Sequence, residues 1–86
     1  MNIKERTIAN GRLKNFVTAV EAETKSMRSF LKEMRDREED KLLSMPDSLQ
    51  NSPTGQSIEE YMEILDEKID AIDEIESEIE ASFGSF

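Results

Sequence analysis

Residues 44–56 read SMPDSLQNSPTGQ, and they separate two long segments that have helical periodicity. Pro46 and Pro53 lack the amide hydrogen that a continuing helix needs, and Gly55 tolerates backbone angles that other residues avoid. Both features predict that the chain leaves one helix and turns before it enters another. Within this stretch, Pro46-Asp47-Ser48-Leu49 is interpreted as a small turn whose Leu49 side chain closes the end of a hairpin.

The predicted fold class is all-α, an antiparallel two-helix hairpin in a single domain. Its expected segments are a helix over 12–44, a connector over 45–56, a second helix over 57–82 and a short tail over 83–86. Asn10-Gly11 is a helix-stop signal. The sequence leaves open whether the residues before it form a separate turn or continue the first helix.

Apolar residues recur at alternating steps of three and four in both segments, which places them on one stripe of each helix. The first stripe, widened on one side by Phe16 and Phe30, consists of Leu13, Val17, Val20, Thr24, Met27, Leu31, Met34 and Glu38. The second consists of Ile58, Met62, Leu65, Ile69, Ile72, Ile75 and Ile79. The step from 72 to 75 adds an extra three, which predicts local overwinding.

Ser57-Ile58-Glu59-Glu60 predicts the start of the second helix. In such a capping box the serine hydroxyl accepts a hydrogen bond from the amide of residue 60, and the Glu60 side chain accepts one from the amide of residue 57.

Charge is distributed unevenly along the 86 residues. The formal net charge is −9, from 20 acidic and 11 basic residues. Residues 1–45 hold ten Lys/Arg against eight Asp/Glu, whereas residues 46–86 hold only Lys68 against twelve acids. The second half would repel nucleic acid phosphates and acidic lipid surfaces, so we expect no direct binding to nucleic acid or to membranes.

The charge pattern also predicts how the helices pair. If residue 43 lies beside residue 58, facing positions sum to about 101, and basic residues of the first helix face acids of the second. The expected pairs are Arg35 with Asp66, Lys32 with Asp70, Arg28 with Asp73 or Glu74, and Lys41 with Glu60. Such exposed pairs are worth only about 0.2–1 kcal/mol each, so they select orientation while the apolar stripes hold the helices together.

An isolated hairpin of this kind leaves apolar surface uncovered. The second helix is expected to end near Ala81, so Leu13, Phe16 and Val17 overhang with no helix beside them. Pairing of two hairpins into a four-helix bundle, or a larger helical oligomer, would cover this surface. Alternatively, Phe83 and Phe86 of the tail fold over the overhang. These five residues are the predicted self-association or partner-binding set.

The segment from Met34 to Ile79 resembles small, acidic, largely uncharacterised proteins of bacterial phages and mobile elements. The resemblance is carried by Arg35-Asp36-Arg37-Glu38-Glu39, by the connector Met45-Pro46-Asp47-Ser48-Leu49-Gln50-Asn51-Ser52-Pro53-Thr54-Gly55 and by the acidic run after Ser57. It implies a helical hairpin and a phage or prophage origin. It implies no established activity and no catalytic residues.

Two sets of charged residues are candidates for function. The acidic face consists of Glu63, Asp66, Glu67, Asp70, Asp73 and Glu74. Carboxylates along a rigid helix can imitate DNA phosphates and occupy the basic groove of a nucleic-acid-binding protein. Similar acidic spacings bind Mg²⁺ in some all-helical nucleotide pyrophosphatases. The simplest interpretation is a solvated face that keeps the protein in solution.

The basic stripe consists of Arg28, Lys32 and Arg35, which lie at helical spacing. Paired across an oligomer, these side chains could hold a phosphorylated ligand, as in a nucleotide-sequestering sponge, although pairing with the acids of the second helix is the simpler interpretation.

The absence of both Cys and His excludes thiol chemistry and Ser-His-Asp or Cys-His catalysis. We therefore expect a non-catalytic protein without cofactor or metal, located in the bacterial cytoplasm. Its expected role is binding to a host or phage protein, with inhibition of a host defence or nucleic-acid-binding protein as the specific case. The alternative is a nucleotide-handling protein, either a sponge or an Mg-dependent pyrophosphatase.

Overall fold

The computed structural model describes residues 2–84, and the predicted helical hairpin is confirmed. Helix α1 spans Ile3–Leu43, the short helix α2 spans Asp47–Gln50, and helix α3 spans Pro53–Phe83. Helices α1 and α3 lie antiparallel and pack against each other, and the described residues contain no strand. The connector therefore reverses the chain direction, as its prolines indicated.

Helix α1 begins nine residues earlier than the expected start at residue 12, and it is continuous through Asn10-Gly11. The N-cap is Asn2, whose Oδ1 accepts a hydrogen bond from the amide of Glu5 at 2.8 Å. The amide of Asn2 in turn donates to Glu5 Oε2 at 3.1 Å. This reciprocal capping box satisfies the first amides of a longer helix, and one interior glycine costs that helix only about 1 kcal/mol.

Helix α3 also begins earlier than expected, so the capping box predicted at Ser57 and Glu60 is wrong. The N-cap is Ser52, whose hydroxyl accepts from the amide of Gly55 at 3.3 Å, and Pro53 occupies the first helical position. Proline suits this position because its amide would have no helical partner there. The amide of Gln56 already donates to the carbonyl of Ser52, so Ser57 lies inside the helix.

The turn is closed by Gln50 and Gly55 rather than by Leu49, whose side chain is 49% exposed. Gly55 is buried, and a Cβ there would overlap the carbonyl oxygen of Gln50 and lie 2.7 Å from its carbonyl carbon. The Gln50 side-chain amide donates to the carbonyl of Met45 at 3.2 Å. Glycine is thus required at residue 55 because two backbone segments approach each other closely.

The seam between α1 and α3 contains little fully buried surface. Leu65 and Ile69 are the only buried apolar side chains within residues 2–84. The half-buried apolar residues of the seam are Val17, Val20, Leu31, Met34, Leu42, Ile58, Met62, Ile72, Ile79 and Phe83. Met27, a predicted stripe residue, is 48% exposed.

At one position the predicted stripe of α3 is wrong. Ile75 is 46% exposed, and Glu76 occupies the half-buried seam position beside it. The seam positions are therefore 72, 76 and 79, which keep the alternating steps of four and three residues. With no extra step of three, the reason for predicting local overwinding disappears. Arg28 of α1 makes a carboxylate acceptable at this position, because its guanidinium contacts Glu76.

The molecule is a rod of 70 × 15 × 15 Å with a radius of gyration of 20.0 Å. A compact chain of this length would have a radius of gyration of about 12 Å. Because Phe83 lies beside Phe16, residues 3–15 of α1 extend beyond the end of α3. We call this segment the overhang.

Candidate interaction surfaces

One side of the seam carries the ion pairs that join the two helices. Arg28 Nε lies 2.7 Å from Asp73 Oδ1, and the same guanidinium contacts Glu76. Arg35 Nε donates to Asp66 Oδ1 at 2.9 Å. Two of the four predicted pairs are therefore confirmed, and both have the predicted register. We call this side, defined by these five residues, the ion-paired flank.

The remaining two predicted pairs are not among the ion pairs of residues 2–84. Lys41 donates instead to Glu38 of its own helix at 3.0 Å, and Glu60 has no ion pair in the described part of the chain. Lys32 and Asp70 likewise take no part in these pairs. Residues three or four apart on one helix meet without spanning the seam, so a nearby acid on α1 competes well for Lys41.

The ion-paired flank shifts the ionisation of its members. The pKa of Glu76 is lowered, chiefly by the hydrogen bond from Arg28, with smaller contributions from the Thr24 hydroxyl and from nearby positive charge. The pKa of Arg28 is raised, chiefly by its hydrogen bond with Glu76. Partial desolvation at the seam opposes both shifts. The charged forms therefore stabilise each other, which is why a carboxylate is accommodated where the pattern favoured isoleucine.

The basic stripe is mostly occupied by these pairs. Arg35 bonds Glu39 at 2.6 Å as well as Asp66, and its pKa is raised chiefly by the bond with Glu39. Arg28 is engaged by two carboxylates. Lys32 is the one member of the stripe without an ion pair in residues 2–84. A phosphorylated ligand would therefore have to displace carboxylates from both arginines.

The outward surface of α3 carries a row of carboxylates directly opposite the seam. Its members follow each other at steps of three and four residues, and all are exposed: Glu60, Glu63, Glu67, Asp70 and Glu74. None of them belongs to an ion pair of the described residues. We call this row the acidic ridge. It contains four of the six residues of the predicted acidic face, whereas Asp66 and Asp73 belong to the ion-paired flank.

The carboxylates of the acidic ridge are spread along the helix rather than gathered at one point. Successive members are separated by about 4.5 to 6 Å along the axis, so five charges extend over about 21 Å. Within residues 2–84, no group of three or more acidic side chains is arranged to hold a metal ion. The arrangement is therefore a line of negative charge along a rigid rod.

The opposite side of the seam is apolar. Relative to Leu31, Arg28 and Arg35 are rotated about the α1 axis in one direction, and Met27, Phe30 and Phe16 in the other. Relative to Leu65, Asp66 and Asp73 are rotated to one side of α3, and Tyr61, Ile64 and Ile75 to the other. The ion pairs place the first two groups on one side of the hairpin, so the apolar groups share the other side.

We call this side the apolar flank and define it as Phe16, Met27, Phe30, Tyr61, Ile64 and Ile75, which are between 45% and 53% exposed. Phe16 and Phe30 were predicted to widen the stripe of α1, whereas the members on α3 were not predicted as a group. Their signal is positional, because each lies one residue before a seam position, at 62, 65 and 76. A second apolar row beside the seam is typical of helices that pack against more than one neighbour.

The predicted self-association residues lie in different surroundings from those expected. The rings of Phe16 and Phe83 meet edge to face, with centroids 5.9 Å apart. Helix α3 continues past Ala81 to Phe83, so Phe16 and Val17 lie beside its end and do not overhang it. Leu13 is 38% exposed and belongs to the overhang. The tail residue Phe83 covers Phe16 as the alternative prediction described, and Phe86 lies outside the described residues.

Neither of the two long helices, over the residues described, combines the length and the apolar character needed to cross a membrane. Models of known protein families, curated proteins and solved structures were all compared with the chain, and none matches it.

Proposed function

We propose that this protein is a non-catalytic binding protein whose acidic ridge occupies a basic groove on a partner protein. The observation that carries the proposal is the excess of acid on α3. The hairpin uses Asp66, Asp73 and Glu76 to pair with its own arginines, whereas the acidic ridge has no such role in the fold.

Unpaired carboxylates at short intervals repel one another and weaken the helix that carries them. A partner that supplies positive charge would relieve this repulsion, and it gives a role to a ridge that the hairpin itself does not need. The groove of a nucleic-acid-binding protein has suitable geometry, because it is built to receive a line of phosphates spaced about 3.4 Å apart on each strand. The acidic ridge offers a comparable line on a rod only 15 Å wide.

The biological setting is part of the same proposal. The resemblance of the connector and its flanking helices to small acidic hairpins of phages and mobile elements supports a phage or prophage accessory protein. Such a protein would act in the cytoplasm of a bacterial host, by blocking a DNA-binding or host-defence protein. The nucleotide-handling alternative gains no support from the arginines of the basic stripe, since carboxylates already engage both.

The proposal is tested by affinity capture from a bacterial lysate with two variants of equal net charge. The ridge variant carries Glu63→Gln, Asp70→Asn and Glu74→Gln. The control variant carries Glu21→Gln, Asp36→Asn and Asp40→Asn, which remove three exposed acids from α1. Circular dichroism confirms that both remain helical.

We expect the wild type and the control to retain the same basic proteins at low salt and the ridge variant to lose them. A short DNA duplex should displace the retained proteins, because it competes for the same groove, and high salt should do the same. Equal retention by the ridge variant, failure of duplex DNA to compete, or no specific retention by the wild type would each refute the proposal.

A further inference from the structure

We infer that the end of α3 has two packing positions against α1, and that the charge on Glu76 selects the position seen in the structure. In that position Glu76 lies in the seam and Ile75 lies on the apolar flank. In the second position the end of α3 is turned about its axis, so that Ile75 enters the seam and Glu76 leaves it. The inference concerns a conformational change within the hairpin and does not rest on the proposed binding function.

Ile75 and Glu76 compete for one seam position because of their places on the helix. Ile72 and Ile79 are seven residues apart and lie within about 20° of each other around α3. Ile75 lies about 50° to one side of the line that joins them, and Glu76 lies about 50° to the other side. A turn of about 50° therefore exchanges the two residues while Ile72 and Ile79 keep facing α1.

Helix α1 offers the same two alternatives at this level of the hairpin. Thr24 and Leu31 are also seven residues apart and form a similar line. Met27 lies about 50° from that line on the side of the apolar flank, and Arg28 lies about 50° from it on the side of the ion-paired flank. Methionine is unbranched and changes rotamer easily, so Met27 can follow Ile75 into the seam.

The structure places the ion pair in the seam and leaves the apolar pair beside it. The side chains of Arg28 and Glu76 are 22% and 27% exposed. Met27 and Ile75 are 48% and 46% exposed. Hydrophobic burial alone would favour the reverse arrangement, because apolar side chains gain more from leaving water than charged ones do. The attraction between the two charges therefore decides which pair lies inside.

The ion pair occupies the seam at a cost. Glu76 Oε1 is buried and accepts no well-aligned hydrogen bond within residues 2–84. A buried acceptor without a donor destabilises the packing that holds it. The apolar alternative carries no such cost. Once Glu76 loses its charge, Arg28 keeps Asp73 as a partner at the surface, and nothing then holds residue 76 in the seam.

The turn is confined to the end of α3 because the other half of that helix is held by the core. Leu65 and Ile69 are the buried apolar residues, and they fix the part of α3 that is nearer the connector. Beyond them the helix runs to its last residue, Phe83, without a further turn or connection. Spread over the ten residues from 69 to 79, a turn of 50° adds about 5° per residue. This is the overwinding that a three-residue step from 72 to 75 requires.

The inference is tested by measuring the exposure of Ile75 in two variants of equal net charge. Glu76→Gln removes the charge from the seam, and the control Glu80→Gln removes the charge of an exposed acid one turn further along α3. Nuclear magnetic resonance of the isoleucine methyl groups, with a neutral gadolinium chelate in the solvent, reports the exposure of each methyl. In Glu76→Gln the relaxation enhancement at Ile75 should fall to about half or less, as for the half-buried seam isoleucines. In the control it should equal that of the wild type.

Glu76→Leu distinguishes a choice between two residues from a general loosening of the helix end. Leucine fills the seam position without a charge, so Ile75 should stay as exposed as in the wild type. The Ile64 methyl, on the apolar flank beside the core, should be unchanged in every variant. The inference is overturned if Ile75 stays exposed in Glu76→Gln or if Glu76→Leu also buries it. Loss of helical circular dichroism in Glu76→Gln overturns it too, because Ile75 has then failed to fill the seam.

Discussion

The overhang and the paired part of α1 belong to one uninterrupted helix but differ in what surrounds them. From Phe16 to Leu43 the helix lies beside α3, and its seam residues are half-buried. From Ile3 to Asn15 most side chains are exposed, including Ile3 at 81%. The comparison separates two sources of helix stability. Capping and propensity act on the whole of α1, whereas tertiary packing, which usually dominates, acts on only part of it.

The largest expected difference between the two regions concerns side-chain burial. Leu65→Ala removes the most deeply buried apolar side chain, which is 4% exposed, and should lower the free energy of unfolding by about 2–4 kcal/mol. Ile3→Ala in the overhang should change it by less than about 0.5 kcal/mol. Urea denaturation followed by circular dichroism, at one protein concentration, measures both. Equal effects of the two substitutions would contradict the assignment of the seam as the core.

A smaller and opposite pair of effects is expected at two glycines. Gly55→Ala forces a methyl group against the carbonyl of Gln50 and should cost about 1–3 kcal/mol. Gly11 lies within α1, and beyond the neighbouring backbone of its own helix no atom lies within 4 Å of an added Cβ. Gly11→Ala should therefore stabilise the helix by about 0.5–1 kcal/mol. Thermal unfolding of the two variants should shift in opposite directions, and shifts in the same direction would show that the turn or the overhang differs from the structure described.

The hairpin and its register could be predicted from the sequence because strong, independent signals coincide. Two prolines interrupt the helical pattern, and the charge pattern brings Arg28 and Arg35 opposite acids when facing positions sum to about 101. The confirmed pairs with Asp73 and Asp66 have that sum. Orientation, register and fold class thus follow from the prolines, the helical periodicity and the charge pattern together.

The helix starts could not be predicted as well, because two signals compete. Ser57 with Glu60 matches a capping box, yet Ser52 followed by Pro53 begins the helix four residues earlier. Because Ser52 caps the helix, Ser57 lies inside it. Similarly, Asn10-Gly11 matches a helix stop, but α1 continues through both residues because one interior glycine is not enough to end a helix.

The surfaces were harder to predict than the fold, because the residues left exposed are known only when the residues of the seam are known. Hydrophobicity favours Ile75 for the seam. The alternating steps of four and three residues, together with the ion pair that Arg28 forms across the seam, favour Glu76 instead. Placing Glu76 in the seam moves Ile75 onto the apolar flank. Likewise, the predicted acidic face divides into paired acids and the acidic ridge only once the register is fixed. Sequence periodicity indicates that a residue is near a face, and cross-seam partners decide its final position.

The smallest expected difference concerns the two helix caps. Asn2→Ala and Ser52→Ala each remove a side-chain acceptor from a helix N-terminus, a change that typically costs about 1 kcal/mol. Ser52 lies at the turn, where fraying of α3 would also loosen the packing of Gly55 on Gln50. Ser52→Ala should therefore lower the global free energy of unfolding by the full amount, about 1 kcal/mol.

Asn2 caps the overhang, where fraying exposes nothing that α3 covers. Asn2→Ala should leave the global unfolding free energy within about 0.3 kcal/mol of the wild type while amide hydrogen exchange accelerates in the first turns of α1. The measurement is made at low protein concentration, where a dimer would dissociate. Equal global losses for the two caps would mean that the overhang folds cooperatively with the hairpin even in the single chain.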